Sequence, residues 1–443
     1  MSLRFQDAGG ASGLAPISQP WRTALPQHVL SVLPLTLFFP VAWMFTGVLL
    51  FLLSLVFAGN YREKGQAVLA SPMLKPILSL SLVSCLVAVF LPRPPGEFWS
   101  AFGHYQTYLF LLLFLCIGAG DWQRRAVMFF LSGALIAASL FYLNFLQILP
   151  VNTLTRSYVV YQGNKSILLG ILLAVASGWT LNRLITHKEH RWPLLLVFIY
   201  IAIALLFLSK SRTASLIMMS LCMLIPLSRL KFSWRSMAVL VAASLLLWAG
   251  LLYALSLPSP DKCVVRDMQG YSPAQIMRDR GLCTLQQARA FARGENAGED
   301  GMRAEIYQLT AKIASEKPWT GHGIASWLVE YQARAQGLTS GTMTTPHNDY
   351  LLYATEVGIF GLAALLWIWL AQLLVARKIG GEHGMMLAML GVTMIIGGMF
   401  NAILRDAVFG MAFMILLAIP LAGVRKDRSV QSMRKIVADD KNN

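Results

Sequence analysis

The sequence predicts an all-α polytopic membrane protein. It has about twelve transmembrane helices and a large, partly helical loop between spans 9 and 10. Three observations carry that expectation. Charged residues make up only 13% of the chain and hydrophobic ones 56%, with a mean hydropathy of +0.58. A soluble domain carries about 25% charge, so the apolar excess needs lipid to face. The apolar residues gather in runs close to the roughly 20 residues that a bilayer core requires. Basic residues cluster in alternate connections, the bias expected of cytoplasmic loops.

Taken in order, the first twenty residues, MSLRFQDAGGASGLAPISQP, are polar. They offer no apolar stretch for a cleavable leader, so the first span is expected to act as an uncleaved anchor. Spans 1 and 2 form a tight pair, roughly 25–39 and 41–59, broken near Pro40. Further spans are expected near 76–92, 104–120, 126–147, 165–186, 192–209, 213–228, 236–256, 348–376, 385–403 and 407–423. The connections YREK, DWQRR, HKEHR, SRLKFSWR and ARK, with the tail VRKDRSVQSMRK, place one side and both termini in the cytoplasm. The expected organisation is spans 1–9 over 1–256, a periplasmic loop over 257–346, spans 10–12 over 347–424 and a cytoplasmic tail over 425–443. The net charge of +16 is spread among these short flanking clusters. It therefore points to membrane lipids as partners and not to nucleic acid, which needs a compact basic face. No internal repeat of the solenoid kind is evident.

The loop 257–346 carries ten Lys/Arg and nine Asp/Glu, so it is nearly neutral. Connections of that length are usually functional. Met302, Ile306, Leu309 and Ile313 recur at helical spacing, the helix ends before Pro318, and GHG (321–323) supplies a turn. The loop reads as a small helical lid. Cys85, Cys116 and Cys222 lie in apolar runs and read as small buried hydrophobes. Cys263 and Cys283 share the loop. They form a disulfide if it is extracytoplasmic and stay free thiols otherwise.

Three polar islands stand out. SKSRTAS (209–215) puts Lys210 and Arg212 at the end of a short joint between two spans. Charge at that depth is costly and wants a partner. A snorkelling arginine is the plain alternative. Arg303 opens the amphipathic lid segment GMRAEIYQLT. It reads either as a solvated residue paired with Glu299 or Glu305 or as a phosphate ligand, since the guanidinium fork suits bidentate phosphate contacts. TTPHNDYLLYATEVGIFG places His347, Asn348, Asp349 and Tyr350 at the mouth of span 10. Pro346 biases the residue before it away from helix, and Asn348 is a fitting cap. An imidazole there can accept a proton at neutral pH. Together the islands point to chemistry on a phosphorylated amphiphile at the outer membrane face. DxD and Walker patterns are absent.

With these residues in view, the chain resembles the lipopolysaccharide O-antigen ligase family, part of a ligase/polymerase superfamily of polytopic membrane glycosyltransferases. SKSRTA is similar to the family's SR-containing motif. RAEIYQLTAKIASEKPWTGHGIASW resembles its R…P-x-x-G-x-G signature, and PHNDYLLYATEVGIFGL its H-N-x-[YFL]-L…E-x-G-x-x-G-L signature. GNKSILLGILL (163–173) is a weaker match to a further segment. The resemblance implies inverting transfer from undecaprenyl-diphosphate-linked O-antigen to a sugar hydroxyl of lipid A–core. It implies a multi-pass protein of the bacterial inner membrane whose active site faces the periplasm and uses neither metal nor cofactor. Its motifs imply catalytic roles for His347 as base and for Arg212 and Arg303 on the diphosphate. Lys210, Asp349, Tyr350, Gly321 and Gly323 then become candidate substrate contacts. The motifs are shared with Wzy-type O-antigen polymerases and protein O-oligosaccharyltransferases. Short outer loops disfavour the former, and the short tail disfavours the latter. A transporter or flippase would bury ionisable groups near mid-bilayer. Arg405 and Asp406 read instead as a structural ion pair at the outer helix ends.

Overall fold

The computed structural model describes residues 20–229 and 298–425, apart from 95, 161–163, 188, 190 and 210, together with a few residues between 249 and 293. Among them every regular element is helical. The first two, α1 (Pro20–Thr36) and α2 (Val41–Ala58), are separated by a turn ending at Pro40, where the broken pair was expected. Then come α3 (Tyr61–Ala70), α4 (Leu74–Phe90), α5 (Phe98–Tyr105), α6 (Tyr108–Phe114) and α7 (Trp122–Phe145). They are followed by α8 (Arg156–Val159), α9 (Asn164–Thr186), α10 (Arg191–Ile203) with a π turn over Ala204–Leu208, and α11 (Arg212–Leu227). The lid contributes α12 (Gly298–Glu316) and α13 (Ser326–Arg334). The chain closes with α14 (Asp349–Glu356), α15 (Gly358–Ile379), α16 (Gly381–Phe400) and α17 (Ala407–Leu421).

Six helices among the described residues are long and apolar enough to cross a bilayer: α2, α7, α9, α10 with its π turn, α15 and α16. The pair α3–α4, bent by 89°, makes a seventh if counted as one span. The expected count of about twelve is not reached by this measure, for identifiable reasons. The span near 236–256 lies largely outside the described residues. The run 104–120 is divided at Gln106 and Thr107 between α5 and α6. Helix α1 has 17 residues and carries Pro26 and Pro34. Helices α11 and α17 are apolar but short. The run 348–376 is two helices, because Gly358 adopts φ +70° and interrupts the ladder between α14 and α15.

One apolar core runs through the helices that flank α9, and most of α9 is buried. The outward faces remain apolar, as at Leu49, Phe57 and Trp192. That is the pattern of a bundle whose solvent is lipid. A second, smaller core unites the lid with α14: Ile306, Ile313, Trp327, Tyr331, Ala335 and Leu352. Ile306 and Ile313 belong to the repeat that predicted the lid helix, and Leu309 packs beside them.

The lid is tied to the bundle by backbone meeting backbone. His322 N–H donates to the Thr355 carbonyl at 2.8 Å, Gly323 N–H to that of Glu356 at 3.0 Å, and Ile359 N–H to that of Pro318 at 2.8 Å. Such closeness leaves no room for side chains. A Cβ on Gly358 would sit 2.3 Å from the Trp319 carbonyl oxygen, and one on Gly321 would sit 2.5 Å from the Glu356 carbonyl carbon. The Gly358→Ala protein is therefore expected to lose about 3 kcal/mol of stability, from backbone strain plus steric clash. Gly337 also has positive φ, yet a Cβ there meets nothing within 4 Å. Gly337→Ala isolates the strain alone. Thermal unfolding in detergent should rank Gly358→Ala well below Gly337→Ala, and equal losses would refute the clash.

Candidate active site

Helix α11 starts where its sequence says it should. The Ser211 hydroxyl caps it by accepting the Ala214 N–H at 3.4 Å, which leaves Arg212 as the first helical residue. Directly upstream, Ser209 N–H bonds the Ala204 carbonyl at 2.9 Å and closes the π turn. Such bulges gather at functional sites, and hydropathy does not reveal them. The start of α11 is pressed against α9 at Gly170, where a Cβ would lie 2.9 Å from that of Ser211. The Arg212 guanidinium donates to the Thr284 hydroxyl, which ties it to the loop region. Lys210 lies outside the described residues. Cys283 is disulfide-bonded, and Cys263 also lies outside the described residues.

His347 sits just before α14 with φ +50°. Non-glycine residues rarely adopt that conformation, and strain of this kind concentrates at functional positions. The conformation is held from both sides. Its N–H donates to the Thr345 hydroxyl at 3.1 Å. Its carbonyl accepts from the Tyr307 hydroxyl at 3.0 Å, and the Met399 carbonyl lies 3.1 Å from that same hydroxyl. Asn348 caps α14 by accepting the Leu351 N–H at 2.9 Å, as expected, and its amide donates to Met399 at 3.1 Å. The Asn401 amide donates to the Thr213 hydroxyl at 3.1 Å. Two sets of polar contacts therefore meet at the end of α16: Asn401 holds the residue beside Arg212, and two residues earlier the Met399 carbonyl holds the His347 loop and lid helix α12.

Burial, and then the charges of Arg303 and Arg405, push the His347 imidazole down to about 4. It is neutral at physiological pH and surrounded by cations. The structure therefore brings Arg303 and His347 together, with Arg212 linked through Thr213 and Asn401. It also adds Arg405, which the sequence reading paired with Asp406. That pairing is corrected. Asp406 caps α17, accepting Val408 and Phe409 N–H at 2.8 and 3.2 Å, and takes the Asn164 amide at 2.5 Å. Arg405 instead donates to the Thr344 carbonyl at 2.5 Å, pairs with Glu97 at 3.8 Å and lies 6.0 Å over the Trp327 ring.

Other residues expected to touch substrate are placed as supports. Asp349 is fully buried, and its carboxylate accepts the Leu404 N–H at 3.3 Å, bracing the turn that presents Arg405. The Tyr350 hydroxyl donates to the Ile395 carbonyl at 2.9 Å, and its ring packs edge-on to Trp369. Gly321 and Gly323 shape the lid docking described above. Glu356 is buried and accepts from the Tyr105 hydroxyl at 2.8 Å and from Trp327 N–H at 3.2 Å. Among the described residues no three His, Cys, Asp or Glu side chains converge as metal ligands would.

No curated protein matches the chain. Residues 196–366 match the family model described as O-antigen ligase. That segment contains Arg212, Arg303, the lid-docking glycines and His347, and stops before Arg405. Multiple apolar helices make this a multi-pass membrane protein, and its residues 196–366 are similar to the O-antigen ligase family.

Proposed function

We propose that the protein is an O-antigen ligase, transferring a glycan from undecaprenyl diphosphate to a sugar hydroxyl of lipid A–core at the periplasmic face of the inner membrane. The observation that carries this reading is a half-buried, neutral imidazole held in a left-handed backbone conformation beside the guanidinium groups of Arg303 and Arg405. His347 takes the proton of the acceptor hydroxyl. The freed oxygen attacks the anomeric carbon from the side opposite the diphosphate, so the configuration inverts. The bond to the diphosphate oxygen breaks, and undecaprenyl diphosphate leaves. Arg212 and Arg303 hold the charge that develops on the leaving group, with Lys210 adding to the field. Fixed guanidinium groups supply that charge without a metal, and the donor's glycosyl–diphosphate bond supplies the driving force. Donor binding also prepares the base. A diphosphate beside Arg303 and Arg405 cancels the charge that depresses His347, so its basicity rises when the donor is in place.

The test uses purified protein with undecaprenyl-diphosphate O-antigen and lipid A–core in EDTA. A mobility shift of the core lipid on a gel is the expected result. Absence of a shift with folded protein, while a lipid-linked repeat unit is extended instead, would reassign the chain as a polymerase. Transfer that stops in EDTA and returns with a divalent cation would overturn the metal-independent mechanism.

A further inference from the structure

Arg405 also lines a small, partly open cleft with an enclosed volume of about 80 Å³. It is walled by α5, the lid helix α13, α14 and the Leu404–Arg405 turn. Leu352, Tyr353 and Glu356 of the PHNDYLLYATEVGIFGL stretch line it, whereas Glu97, His104 and Arg405 lie outside the matched segment 196–366. Its apolar surface includes Tyr105 and Tyr353, whose rings meet edge-to-face at 4.8 Å. Its charged and imidazole side chains are Glu97, His104, Arg405 and the buried Glu356. The Glu97 side chain is 72% exposed, with only a long 3.8 Å pairing to Arg405. His104 Nδ1 makes no hydrogen bond among the described residues. An apolar cleft with an exposed carboxylate and a guanidinium at its edge suits a polyhydroxylated ligand, whose hydroxyls those two groups can bond. The elements that carry the cleft show a second signature. Phe90 and Trp99, on the two helices joined by the Glu97 loop, are 77% and 72% exposed, and Val329 on the lid side is 56% exposed. Exposed aromatic residues beside a polar cleft fit an interfacial position, with lipid on one side and water on the other.

We propose that this cleft is the acceptor subsite: it takes the saccharide head of a lipid-anchored glycan, whose lipid lies against Phe90 and Trp99, and Arg405 spans the cleft and the His347 centre. The proposal rests on the transferase reading above. It places the acceptor one arginine away from the base that must deprotonate it. Glu97 and His104 select the saccharide and leave the donor to Arg212 and Arg303.

The test separates the two substrates. Glu97→Gln, His104→Gln and Val329→Trp, the last of which fills the mouth, are assayed with lipid A–core as acceptor. Binding of undecaprenyl diphosphate alone is measured in parallel and also reports folding. Each polar variant is expected to raise the acceptor KM about tenfold, the scale of one or two lost hydrogen bonds, with donor affinity unchanged. Val329→Trp should do the same with the lipid-anchored acceptor. The delipidated oligosaccharide should bind far more weakly than the anchored form to the wild type. Unchanged acceptor KM in all three variants would overturn the subsite. So would weakened donor binding, which would assign the cleft to the donor. A wild type that neither binds undecaprenyl diphosphate nor transfers glycan would instead sink the transferase reading itself.

Discussion

The His347→Ala protein is expected to bind undecaprenyl diphosphate as the wild type does, yet to transfer glycan about a thousandfold more slowly, within the range for loss of a general base. Binding should persist because the anchors of this loop use backbone, not the imidazole. The Tyr307 hydroxyl holds the His347 carbonyl, and the Thr345 hydroxyl holds its N–H. Alanine inherits a φ of +50°, so strain alone could be blamed for lost activity. His347→Gly removes that objection, because glycine tolerates the conformation, and it should be equally slow. Added imidazole should restore part of the rate to both. The pH profile gives an independent check. In the free protein the imidazole lies at about 4, and a lowered histidine keeps its base form down to that pH. The acid limb of kcat/KM should fall there, whereas that of kcat should sit at higher pH, because the bound diphosphate offsets the arginine charges. A variant retaining a tenth or more of the rate, or coincident acid limbs, would remove His347 from the proton transfer.

The parts of this site that were legible in the sequence are those whose chemistry is local. Asn348 as cap, the Ile306–Ile313 repeat and the turn before Pro40 follow from nearest neighbours, and the structure keeps them. Arg212, Arg303 and His347 were visible because polar residues beside apolar runs are costly and so conspicuous. What hydropathy could not show is how runs break. Gly358 splits one expected span with a positive φ, and the π turn before Ser209 interrupts another, although the residues on either side are equally apolar. Gly321 and Gly323, candidate substrate contacts by motif, also meet a need that hydropathy cannot show: backbone docking between segments more than 30 residues apart. Arg405 was missed because its neighbour is an aspartate, and adjacent opposite charges invite pairing. A signal existed: Asp406 directly precedes an apolar run, the position of a helix cap. A capping carboxylate is already occupied, which leaves the arginine before it for other work. The cleft partners Glu97 and His104 had no such signal. They meet Arg405 only through packing of α5 against the lid and α14.

Arg303 carries the second large effect. Replacing it with glutamine is expected to cut kcat by about a hundredfold to a thousandfold, the scale of losing one preorganised group at a developing anion. A surface arginine neutralised by Glu305 would show no such loss, and the structure bears on that alternative. Glu305 is committed elsewhere: its carboxylate accepts the Thr339 hydroxyl at 3.0 Å and the Ser340 N–H at 2.9 Å, within the lid. Arg303 instead acts electrostatically on His347, from a helix clamped to the His347 carbonyl by Tyr307 one turn further on. Arg303→Lys keeps the charge but loses the planar fork, so it should recover only part of the rate. Inorganic diphosphate supplies a readout free of the glycan. It should compete with the donor in the wild type and lose potency in Arg303→Gln, more strongly at low than at high salt, since added ions already screen the contact. Unchanged inhibition alongside an unchanged rate would return Arg303 to the solvated surface. A slowed rate with unchanged inhibition would mean that Arg303 acts on the base and not on the leaving group.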